Sequence, residues 1–83
     1  MLPTVHLNGT SGAELFRLNL AVVEHLRDTI DALYKARPDG RDYYTQGQNA
    51  HLKAVDDHRQ RMERLQYVYA EMQTIVESLA DYA

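Results

Sequence analysis

Arg41, Tyr43, Tyr44 and Gln46 crowd into one short stretch, 40-GRDYYTQG-47. An arginine guanidinium presents five donors in a planar fork that matches phosphate or carboxylate. Tyrosines add flat faces and hydroxyls, and a glutamine amide both donates and accepts. Such a set suits a ligand that carries an anionic group and a flat ring, as a nucleotide does. Alternate residues of an extended loop point opposite ways, so one tyrosine is expected to anchor the loop while the other faces the ligand. The competing use is internal, with Arg41 paired to Asp39 or Asp42 and both tyrosines pinning the connector.

A second set lies in 6-HLNGTSGAE-14. Asn8-Gly9 is a turn dipeptide, and Thr10 and Ser11 bring hydroxyls to a helix start. Helix N-termini leave N–H groups unpaired at the positive end of the macrodipole, which attracts anions. There is no Walker pattern and no lysine nearby, so this is no P-loop. The same four residues, Asn8, Gly9, Thr10 and Ser11, also serve as a plain turn and cap.

Other chemistry is sparse. The chain has no cysteine, which excludes disulfides and thiolate metal sites. Its four histidines show no H-E-x-x-H or H-x-x-x-H spacing, and His51 and His58 are two helical turns apart. No metal site and no cofactor are expected. No nucleophile–base set has a spacing that predicts convergence, so a non-enzymatic protein is expected. The formal charge is −3, from 12 acids and 9 bases. Lys53, Arg59, Arg61 and Arg64 alternate with Asp56, Asp57 and Glu63, which reads as a salt-bridged face rather than a phosphate footprint. Duplex nucleic acid is therefore not an expected partner. Apolar runs fall well short of the roughly 18 residues of a membrane span, and MLPTVHLNGTSG lacks the features of a secretory leader. A cytoplasmic protein away from membranes is the expectation.

The elements that must hold these residues are helices. Ser11 and Glu14 have capping-box spacing, and Leu15, Leu18, Val22, Leu26, Ile30 and Leu33 follow at helical steps, with Phe16, Val23 and Tyr34 widening the stripe. Pro38 disfavours helix in the residue before it, which predicts a first helix over about 11–36. Thr45 and Gln48 repeat the capping-box spacing, predicting a longer helix over about 46–81, although Gly47 weakens its start and could shift it to about Asn49. Its seam, Val55, His58, Met62, Leu65, Tyr69, Met72, Val76 and Leu79, steps by three and four. Leu52, Val68 and Ile75 form a flanking stripe. The fold class is thus all-α: one domain over 1–83, with an extended segment 1–10, a connector 37–45, and an antiparallel helical hairpin.

A hairpin cannot cover so wide a stripe, and the overhanging part of the second helix, Tyr69 to Leu79, is expected to be exposed. Exposed apolar surface of that extent marks an interface. Homo-oligomerisation into a helical bundle is expected, with His58, Met62, Leu65, Tyr69, Met72, Val76 and Leu79 at the interface.

The motifs HLNGTS and GRDYY, the latter followed by Gln-Gly, together with their flanking helices, resemble small uncharacterised proteins encoded by bacteriophages and prophages. The resemblance implies a small oligomer in the host cytoplasm that acts by stoichiometric binding, for instance by sequestering a nucleotide defence signal. The alternative is a helical protein–protein module, inhibitor or adaptor, directed at a host protein, or a structural assembly element. On the first view the two candidate sets meet only between subunits, because a hairpin holds them a helix length apart.

Overall fold

Ser11 opens the first helix through its hydroxyl, which accepts the backbone N–H of Glu14 at 3.2 Å and so covers one donor that a helix start leaves open. In this computed structural model, which describes residues 1–83, α1 runs Gly12–Lys35. The reciprocal half of the capping box is not made. The Glu14 carboxylate turns instead to Arg17 one turn on, a partner that holds its carboxyl below the ordinary range. The helix stops just before Pro38, as expected, with the Ala36 and Arg37 amides folded back onto carbonyls of the last turn.

α2 runs Ala50–Ser78, shorter at both ends than the expected 46–81, with its start at the later position near Asn49 expected from a weak Gly47. The cause at its start is Gly47, whose φ of 105° and ψ of 165° lie in a region that is essentially glycine's alone. That residue stands between Thr45 and Gln48, and a capping box needs helical backbone there. Tyr44–Gln46 closes a 3-10 turn instead, and Asn49 leads the helix without a side-chain cap. At the other end the Ser78 hydroxyl donates to the Ile75 carbonyl at 2.6 Å. The Leu79 amide takes the Val76 carbonyl, and the chain tightens into a 3-10 turn over Ala80–Tyr82.

The two helices form the expected antiparallel hairpin. Tyr82 lies over Gly12, so closely that a Cβ at Gly12 would collide with the ring. The connector lies at the opposite end. On α2 the half-buried row is His51, Ala54, His58, Met62, Leu65, Tyr69, Met72 and Val76, ending in buried Leu79. On α1 it is Leu15, Asn19, Val23, Leu26, Ile30 and Leu33.

Three expectations are corrected here. Leu18 and Val22, placed in the inward stripe by their spacing, are 46% and 42% exposed. Asn19 stands in that row instead, its amide donating to the Leu15 carbonyl at 2.8 Å. The overhang of Tyr69 to Leu79 does not occur, because α1 begins level with the end of α2 and Leu79 is 1% exposed. The surplus length of α2 falls at the connector end. The expected interface row from His58 to Leu79 is therefore the seam between the two helices of one chain. Residues Met1–Pro3 run back along the hairpin to Asn19 and Ile75, with Met1 and Leu2 left exposed.

The result is long and thin, 61 × 19 × 17 Å. Its radius of gyration is 18.4 Å, against about 12 Å for a compact chain of this length. Only Gly12 and Leu79 are buried. No helix is long and apolar enough to cross a membrane.

Candidate functional site

At the connector end the chain must turn between helices with few residues, and it does so through backbone bonds. Arg37 caps the last turn of α1, donating from its guanidinium to the Tyr34 carbonyl at 3.0 Å, with the guanidinium 4.4 Å over the Tyr34 ring. Asp39 then caps a 3-10 turn over Gly40–Asp42. Its carboxylate accepts the Arg41 amide at 3.0 Å and the Arg41 side chain at 3.3 and 3.0 Å. The Arg41 side-chain bonds, then its amide, hold the Asp39 carboxyl below the ordinary range, with His51 adding to the effect. The fork that suits a phosphate is thus turned inward onto Asp39, the internal use named above.

The tyrosine pair divides. Tyr43 is half-buried, its ring centroid 6.2 Å from that of His51 at a tilt of 44°. Tyr44 is 79% exposed. Gln46 closes the next turn, its amide donating to the Tyr43 carbonyl at 3.0 Å.

Tyr43 and Gln46 also wall an open groove of about 560 Å³. Its floor is Leu33, Ala36, Pro38, Ala50 and Ala54, and its polar lining adds Lys53, Asp57, His58 and Arg61. Small side chains at 36, 50 and 54 leave this space where the seam elsewhere holds leucine or methionine. The Nε2 atom of His58 is shut off from solvent and bonds to nothing in the chain, as is Nδ1 of His51. A shielded polar atom without a partner costs about 1–3 kcal/mol, so the region is unsaturated as a single chain.

The charges around the groove are uneven. Arg59 bridges Asp56 and Glu63 at 2.8 and 2.6 Å, and Lys53 reaches Asp57 at 3.4 Å. Arg61 has no such partner. The alternating charges therefore satisfy one another only in part, and this was readable from spacing: Arg61 has Arg64 and Leu65 ahead of it, and the Asp57 behind it is shared with Lys53. Lys53 and Arg61, expected only as part of a salt-bridged face, and His51, expected in no site, stand at this end beside the expected Tyr43 and Gln46.

The other candidate set lies at the far end. The Gly9 amide bonds the His6 carbonyl at 3.2 Å, closing the Asn8-Gly9 turn, and the His6 ring folds over Gly9. Ser11 uses its hydroxyl as the helix cap, while Asn8 and Thr10 are exposed. The 24 residues of α1 span about 36 Å, so one chain does not bring Asn8–Ser11 to Arg41, Tyr43, Tyr44 and Gln46. No group of three histidine, aspartate or glutamate side chains could hold a metal ion.

The chain matches no protein-family model, no curated protein and no solved structure.

Proposed function

We propose that the protein is a non-enzymatic, self-associating helical module whose pairing completes a core that one hairpin lacks. One observation carries this reading. A compact chain of 9.6 kDa exposes about 5,100 Å², whereas this one exposes 6436 Å². The excess, about 1,300 Å² per chain, is more than the roughly 800 Å² each partner gives to a standard stable interface. Exposed Leu18, Val22 and Val68 flank the seam on both helices, so pairing would cover apolar surface as well as area. Size-exclusion chromatography with light scattering tests it. A mass of twice 9.6 kDa or a higher multiple is expected, and a monomer at micromolar concentration would overturn it.

A second reading, a small phosphate-bearing ligand at the connector, has support in one place. The groove sets Tyr43 and Gln46 beside Lys53 and the unpaired Arg61. Arg41 would have to leave Asp39 to join them. Calorimetry against cyclic nucleotides and ADP-ribose derivatives tests this, and absence of binding by a folded sample would count against it. The resemblance to phage-encoded proteins fits either reading, as a binder acting by stoichiometry.

A further inference from the structure

We propose that the second copy seats antiparallel along one face of the hairpin, the face that carries the connector groove. The proposal rests on the self-association argued above and adds the face and the direction.

The face follows from helical phase. Eighteen residues make five whole turns of an α-helix, so Leu18 shares the phase of Ala36, Ile75 that of Asp57, and Glu71 that of Lys53. Ala36, Lys53 and Asp57 all line the groove. Leu18, Glu71 and Ile75 therefore extend the same side of the hairpin toward the other end. Val22 and Val68 lie beside them, one turn after Leu18 and seven residues before Ile75. Glu71 and Ile75 also meet Leu2 there, which ties the N-terminal segment to this side.

One face thus has two unlike halves. Toward the connector it is concave, floored by alanines, with the free Arg61 and the Asp57-paired Lys53 at its wall. Toward the far end it carries the apolar chains of Leu18, Val22 and Val68, each more than 40% exposed. Of its acids Glu14 is bridged to Arg17, which leaves Glu71. A parallel partner would set groove against groove and ridge against ridge. An antiparallel partner lays each ridge into the other's groove.

Charge selects the same direction. Between Glu24 and Gln66, the connector half, eight bases balance eight acids. The remaining residues hold one base, Arg17, against Glu14, Glu71, Glu77 and Asp81. The whole formal charge of −3 thus sits in the half that contains the chain termini. Parallel pairing would face these acidic halves, whereas antiparallel pairing sets each against the half rich in arginine. The middle of α2 falls near Arg64, so a two-fold axis there brings the partner's Glu71 level with Asp57. Lys53 neutralises Asp57. Lys53 and Arg61 each stand one turn from that level, about 6 Å along the axis, within side-chain reach of the partner's Glu71.

The absence of cysteine makes the test direct. Gln48→Cys, exposed at the connector tip, places one spin label on each chain for pulsed electron paramagnetic resonance. With the two-fold near Arg64, Gln48 stands about 24 Å from the axis along the rod, so the expected label-to-label distance is about 50 Å. A distance near the chain's 17–19 Å thickness in a proven dimer would overturn the antiparallel arrangement while leaving self-association intact. A monomer by light scattering would remove both. Charge reversal checks the face: Arg61→Glu is expected to weaken the dimer about tenfold, since two symmetric contacts change together. Adding Glu71→Arg is expected to restore it, and a double variant as weak as the single one would place the partner elsewhere.

Discussion

Two leucines on α2 give opposite expectations for the same substitution. Leu79 is the one fully buried side chain of the molecule, at 1% exposed, whereas Leu52 is 65% exposed. Replacing a buried leucine by alanine removes transfer energy and leaves a cavity, together roughly 2–5 kcal/mol. Leu79 lies at an open end, between the first turn of α1 and the short Ala80–Tyr82 turn, where neighbours can close in. The loss for Leu79→Ala should therefore fall at about 2–3 kcal/mol. That is a large share of the roughly 4–12 kcal/mol available to a chain of this length. Leu52→Ala should stay within about 0.5 kcal/mol, and it lies off the proposed pairing face. Urea titration followed by far-ultraviolet circular dichroism reads both, at one protein concentration because association shifts the midpoint. Equal losses for the two variants, or less than about 1 kcal/mol for Leu79→Ala, would refute the burial reasoning.

Gly47→Ala meets open space, so its cost is purely conformational, about 1–3 kcal/mol at this φ and ψ. Gly47→Asn should fare no better, and a neutral result in thermal melts would show that the backbone relaxes at no cost. Gly12→Ala should displace the Tyr82 ring, visible in near-ultraviolet dichroism, and destabilise by about 1–2 kcal/mol net of alanine's better helix propensity. In a Tyr82→Ala background the same change should become neutral or stabilising, and an unchanged cost there would put the strain elsewhere. The Asp39 carboxyl is held below its ordinary value of 3.8 by Arg41. Its contribution is therefore complete above that value and is lost as pH falls through the lower native one. Nitrogen shifts of the Arg41 amide and Nε, followed from about pH 5 to pH 2, should move together as the fork comes free. Flat titration curves would remove the pair.

Local signals carried the parts of the fold that depend on near neighbours. Ser11 does cap α1, and Pro38 does follow its end. The three-four repeat expected from Val55 to Leu79 is the seam of α2 from His58 on, with Ala54 in the row in place of Val55, which is 43% exposed. What failed needed either one backbone angle or the partner's direction. Thr45 and Gln48 have the spacing of a cap, but Gly47 between them adopts a conformation that spacing alone does not reveal. Leu18 and Val22 fit a helical stripe as well as Asn19 and Val23 do, and only the position of α2 decides which row turns inward. At the candidate site an extended loop predicts one tyrosine in and one out. Tyr43 is half-buried and Tyr44 exposed, but two successive 3-10 turns separate them and not strand-like alternation. The capture of Arg41 was legible only as one of two uses, because Asp39 lies two residues away and a ligand is not written in the chain. The groove was not legible, since Ala36 and Ala54 are ordinary helix residues until the hairpin sets them opposite each other.

The closure of Tyr82 over Gly12 also bears on the order in which the molecule forms. Ala36 and Ala50, which floor the groove, are fourteen residues apart, while Gly12 and Tyr82 are seventy apart. Closing the larger loop costs about 1.4 kcal/mol more in chain entropy. The hairpin should therefore zip from the connector outward, and the best-buried side chain, Leu79, should dock last. Its turn then acts as a clasp on a rod already assembled, and amide exchange should be fastest at that same end.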